Sequence, residues 1–86
     1  MRIAEEIERK LTESFAPELL AVADESEVHR GHAGWREGGE THFRVTIRAA
    51  AFTGLGRVEC HRAVHAALGP DILGRIHALA LDISGT

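Results

Sequence analysis

Six histidines among 86 residues make this chain a compositional outlier, and imidazole is a side chain with chemistry to offer. It ligates iron, zinc and copper, and it changes charge near neutral pH. Four of the six are placed where they could act together. His29 and His32 lie in a stretch from Ser26 to Glu40 that holds Gly31, Gly34, Gly38 and Gly39; His42 opens the alternating run that follows; His77 sits beside a dense apolar run near the end of the chain. Two imidazoles on separate elements can each take one coordination position of a metal. The competing reading of each ring is a packed, hydrogen-bonded or solvated histidine. Cys60 is the only cysteine, so one chain forms no internal disulfide and no all-cysteine metal site. Any thiolate-rich centre needs ligands from outside. Cys60 itself falls among apolar residues at helical spacing, where a small packed hydrophobe competes with a ligand or redox role.

The elements that would position these rings can be read from periodicity. Ile3, Ile7, Leu11 and Phe15 recur every four residues among charged neighbours, which predicts an amphipathic helix that Pro17 stops. Leu19 to Ala23 is a short apolar run read as a strand buried on both faces, Pro17 excluding a longer helix. The glycine-rich stretch from Ser26 to Glu40 reads as a loop of a length that signals function or mobility, and is expected to be among the most mobile parts of the free protein. From Thr41 the pattern alternates strictly, Phe43, Val45, Ile47 and Ala49 on one side and His42, Arg44, Thr46 and Arg48 on the other, as in a half-buried strand. After a turn at Thr53-Gly54, the spacing of Cys60, Ala63, Val64, Ala67 and Leu68 predicts a second helix stopped by Gly69-Pro70, with a short helical turn at Asp71 to Leu73. Ile76 to Ile83 reads as a third strand, and Arg75 stands at its start.

This order constrains the geometry. Strands two and three, joined through a helix, should run parallel with a right-handed crossover; strands one and two, joined by a loop, should be antiparallel. Strand two should be central, with both helices on the face that takes Phe43, Val45, Ile47 and Ala49. The start of strand three then lies at the same end of the sheet as the glycine-rich loop, so His77 should be close to that loop.

Composition narrows the function classes. Hydrophobic residues at 44 % and charged residues at 27 % describe an ordinary globule, with one domain expected over residues 1–86. The longest apolar runs are too short to span a bilayer. Met1 to Phe15 carries Glu5, Glu6, Glu8 and Glu13 where a secretory signal would need an apolar stretch, so the cytoplasm is the expected location. A net charge of −3 opposes nonspecific attraction to a phosphate backbone, although Arg57, His61 and Arg62, with His65, make a basic edge suited to a partner or nucleic acid. The competing reading is a solvated helix face. Trp35, the only tryptophan, is either a contact residue in the loop or folded back over the core. No nucleophile has an evident base and orienting partner, so no enzymatic activity is expected.

Five segments resemble successive signatures of the BolA-like family: Asp24-Glu25-Ser26-Glu27-Val28-His29, Gly39-Glu40-Thr41-His42-Phe43-Arg44-Val45, Phe52-Thr53-Gly54, His61-Arg62, and Ile76-His77-Ala78-Leu79-Ala80-Leu81. They fall in the family's order and spacing. The resemblance implies an α/β (α+β) domain similar to the type II KH fold, with a three-stranded mixed sheet and helices on one face. Gly54-Leu55-Gly56-Arg57 is not the Gly-X-X-Gly clamp that KH domains use on nucleic acid, since it precedes one helix instead of joining two. The resemblance further implies a partnership with monothiol glutaredoxins of Cys-Gly-Phe-Ser type. In such complexes a 2Fe-2S cluster is held by the glutaredoxin cysteine, a glutathione thiol and two residues of the BolA-like chain, with no cofactor in the isolated protein. The family's late-strand histidine matches His77, and its loop ligand matches His29, with His32 as the rival. The family also contains transcriptional regulators, so the alternative expectation is a DNA-binding role. Arg75 departs from the proline that many members carry before the valine or isoleucine, which a strand start should tolerate.

Overall fold

The computed structural model describes residues 2–26 and 41–86. Its elements follow in the order α1 (Ile3–Phe15), β1 (Leu19–Asp24), β2 (His42–Arg48), α2 (Arg57–Arg75) and β3 (Ala78–Ser84), with a short 3-10 turn at Ala50–Phe52 before α2. The strand order is β1-β2-β3, β1 being antiparallel and β3 parallel to β2. Parallel strands need a crossover, and α2 supplies it.

The central strand organises the core. Phe43, Val45, Ile47 and Ala49 are buried, while Arg44 and Arg48 on the other side are exposed and pair with Glu25 and Glu18. Ile3, Ile7 and Leu11 of α1 and Cys60, Val64, Leu68 and Ile72 of α2 meet the Phe43 face, so both helices lie on one side of the sheet. Removing this apolar surface from water is the main favourable contribution to folding. Phe15 continues the α1 stripe, tilting its ring over Phe52 at 4.7 Å. The helix ends where Ala16 turns left-handed (φ 44°) and donates its N–H to Thr12 O, one residue before Pro17.

Three details differ from the sequence reading. β1 is an edge strand, not one buried on both faces: Leu20 and Val22 pack toward the helices while Leu19, Ala21 and Ala23 are exposed. An unbroken apolar run does not reveal which side is covered, and here alanines occupy most of the open side. The backbone leaves helical geometry at Gly69-Pro70 as expected, but the helical piece that follows is longer than Asp71 to Leu73 and runs to Arg75. Gly69 takes φ 81°, which glycine adopts without steric cost, and Pro70 restarts the helix where its missing N–H is not needed. The apolar stripe at Cys60, Val64, Leu68 and Ile72 runs across this break.

Third, Arg75 is the last residue of α2 and not the start of a strand. Its guanidinium donates to both carboxylate oxygens of Glu6, at 2.8 and 3.1 Å, tying the end of α2 to the first turns of α1; Asp71 lies 3.3 Å away. The hydrogen bond from Arg75 is the main cause that holds the Glu6 carboxyl below its ordinary value of 4.5. The folded carboxyl therefore takes up a proton less readily than the unfolded one. Its contribution to stability is present above the ordinary value and is lost as pH falls through the lower folded value. Glu6→Gln should accordingly flatten the acid limb of the stability profile, measured by urea unfolding between pH 7 and 3. An acid limb identical to that of the wild type would show that the pair does not couple to folding.

Candidate metal-ligand site at one end of the sheet

β2 and β3 begin at the same end of the sheet, and the two residues that flank positions 27–40 meet there. Ser26 and Thr41 are both buried, and Thr41 N–H donates to Ser26 Oγ at 2.9 Å. Ser26 is held by its neighbour in a short Asx-type turn: its N–H donates to Asp24 Oδ1 at 2.9 Å, and its hydroxyl donates to the same oxygen. His42 N–H also points at Ser26 Oγ, at 3.3 Å. On the other side, Thr41 O accepts from the N–H groups of His77 (2.8 Å) and Ala78 (3.1 Å). The sequence argument that His77 lies at the loop end of the sheet therefore holds for the residues that bound the loop.

His77 precedes β3 by one residue rather than lying within the strand, because its N–H and that of Ala78 share one carbonyl and bend the chain there. The residue is exposed, so a ring on fixed backbone is open to an external centre. His42 is the opposite case. The alternation put it on the open side with Arg44 and Arg48, yet it is 3 % exposed, with its ring 5.1 Å from that of His77 at a 51° tilt and its Nδ1 2.7 Å from Thr41 Oγ1. Alternation assigns a side of the sheet but not what covers a strand end. Sequence reasoning missed the Asp24, Ser26 and Thr41 contacts, although the Asp-X-Ser spacing at the end of a strand was a usable signal.

His29, His32 and Trp35 lie outside the described residues, as does nearly all of the Ser26 to Glu40 stretch for which mobility was expected. Among the described residues, no group of three or more His, Cys, Asp and Glu side chains could hold a metal ion. An exposed imidazole on anchored backbone fits a single borderline ligand to a centre completed from elsewhere. Cys60 is packed in the core, 8 % exposed, with Sγ 3.9 Å from Leu55 O.

The basic residues of α2 gather elsewhere. Arg57 and His61 line a cleft of about 330 Å³ with Phe52, Leu55 and the Leu81 to Gly85 end of the chain. Those last residues are four to eight positions beyond His77, roughly 13–26 Å at the rise of a strand. Arg62 is exposed and does not line the cleft, and His65 Nδ1 is 2.6 Å from His61 O. The His77 end and the Arg57 cleft are thus separate places. Among the described residues no helix is long and apolar enough to cross a membrane.

A BolA-like protein family profile matches residues 11–86. The chain belongs to the BolA-like family. It is 45 % identical over 76 residues to human BolA-like protein 1, a match covering 88 % of this chain and 53 % of that one, so it spans about half the length of that relative. The DNA-binding transcriptional regulator BolA of Vibrio cholerae is 40 % identical over 79 residues, covering 92 % of this chain and 71 % of the regulator. Among solved structures, the BolA domain of SufE1 from Arabidopsis thaliana superposes with a TM-score of 0.81 at 33 % identity, covering 95 % of this chain and 90 % of that one. The BolA fold read from the sequence is the fold observed, including the mixed sheet and the single helical face.

Proposed function

We propose that this BolA-like chain is a binding module that lends histidine to a 2Fe-2S cluster shared with a monothiol glutaredoxin and glutathione. The observation that carries the reading is the exposed His77 on backbone pinned to Thr41, at the sheet end where Thr41 bonds to Ser26, the two residues that flank positions 27–40. His77 is one ligand and His29 the other, with His32 as its rival; glutaredoxin and glutathione contribute the two thiolates that a chain with only Cys60 lacks. When bound, such a cluster supplies one-electron chemistry, and neutral imidazole in place of thiolate makes it less negative and raises its potential. What the chain itself does is bind and orient: the Thr41 carbonyl fixes the His77 backbone, and the sheet holds that position rigid. It acts in cluster assembly, trafficking or iron regulation, in the cytoplasm, and without enzymatic activity of its own.

A second reading rests on the Vibrio cholerae relative, a DNA-binding transcriptional regulator, and on the Arg57 and His61 cleft: a DNA-binding regulator. One pair of measurements separates the two. Mixing the chain with a monothiol glutaredoxin, glutathione, iron and sulfide should give visible absorbance that this chain changes relative to glutaredoxin alone. DNA binding should instead need neither thiol and weaken steeply with salt. An unchanged cluster spectrum together with salt-sensitive DNA binding would replace the first reading by the second.

A further inference from the structure

We propose that His42 is a positioning residue: its buried ring sets the orientation in which His77 meets the shared cluster. The proposal deepens the cluster reading and rests on it for what His77 binds. The orienting contact itself belongs to the chain alone. Three observations carry it. The ring of His42 lies 5.1 Å from that of His77 at a 51° tilt, within the range where two flat rings restrict each other. His42 is 3 % exposed whereas His77 is exposed, so one ring is a fixed wall and the other an open arm against it. And the wall is held by a chain of buried hydrogen bonds that runs through Thr41 and Ser26 to Asp24.

An ionised Asp24 carboxylate only accepts, so the Ser26 hydroxyl donates to Asp24 Oδ1. Ser26 Oγ in turn meets the Thr41 hydroxyl at 3.1 Å. The Thr41 hydroxyl also meets His42 Nδ1 at 2.7 Å, a hydrogen bond that either tautomer of the ring can make. The ring plane is fixed by the buried Thr41, itself bonded to the buried Ser26. Thr41 thus holds both histidines: its carbonyl binds the His77 backbone and its hydroxyl binds the His42 ring. Ligand-orienting partners of this kind are worth about 10–100-fold in metal retention.

The test uses the full chain with histidine-labelled NMR in the apo state, and loss of cluster from the glutaredoxin complex to a chelator. His42→Phe keeps a ring but loses its bond to Thr41, and should shift the His77 ring resonances and the rate of cluster loss less than His42→Ala does. His42→Ala should move those resonances toward values of an unrestrained histidine and speed cluster loss about tenfold. Thr41→Val, which frees Nδ1 while preserving shape, should move both readouts in the same direction, and Thr41→Ser should restore them. If the His77 resonances stay put in both His42→Ala and Thr41→Val, or if His42→Phe loses the cluster as completely as His77→Ala, His42 does not position His77. Should the wild-type complex hold no cluster at all, the cluster reading fails, while the apo resonances still decide whether His42 orients His77.

Discussion

His77→Ala should abolish most of the visible absorbance that the chain adds to a glutaredoxin and glutathione cluster, while leaving the apo fold within about 0.5 kcal/mol of wild type. The asymmetry follows from position. His77 is exposed, and its structural contribution is made by its backbone N–H on Thr41 O, which alanine retains. On the proposed cluster the variant would lose one of four ligands, a loss the solvent replaces poorly. His29→Ala should have a weaker effect, because His32 lies three positions away and can substitute; the double change should match His77→Ala. His61→Ala and His65→Ala are the controls, both on α2 and away from the His77 end. Visible spectra and chelator kinetics on these five variants check the whole pattern.

The largest effect on the fold should come from β2. Ile47 is fully buried on the central strand, between Leu20 of β1 and Ile83 of β3 in register, so Ile47→Ala removes three carbon atoms where no neighbour can move in freely. Such truncations cost about 2–5 kcal/mol. A chain of this size has roughly 4–13 kcal/mol to lose. Ile47→Ala should therefore bring urea unfolding to a much lower midpoint with an unchanged slope. Leu19→Ala on the exposed side of β1 is the contrast, expected to change stability by about 0.5 kcal/mol or less, because Leu19 is 48 % exposed. Equal losses at the two positions would contradict the assignment of a single covered face.

What the sequence made legible and what it hid divide along range. The Phe43, Val45, Ile47 and Ala49 alternation specified both the central strand and its covered side, because a period of two is local information. The chain order of elements then set the parallel pairing and put His77 beside Thr41, since a helical crossover leaves few alternatives. Burial of His42 was not legible: it depends on the ring of His77, thirty-five positions away, and on Thr41 bonding to Ser26. The Glu6 and Arg75 pair was hidden for the same reason, its partners being 69 positions apart, and Arg75 looked like a mere departure from proline. For Leu19 to Ala23 the apolar run fixed the strand but not its edge position, which only the pairing order decides.

The central claim is that imidazole nitrogen of this chain is bound to iron in the shared cluster, and nuclear hyperfine spectroscopy reads that bond directly. The chain is labelled with ¹⁵N-histidine, the glutaredoxin and glutathione are left unlabelled, and the reduced mixed cluster is examined by pulsed electron paramagnetic resonance. Strong ¹⁵N couplings from histidine should appear in the wild-type complex, and the part due to His77 should vanish in His77→Ala. A cluster that forms in the mixture with no ¹⁵N coupling would contradict the account.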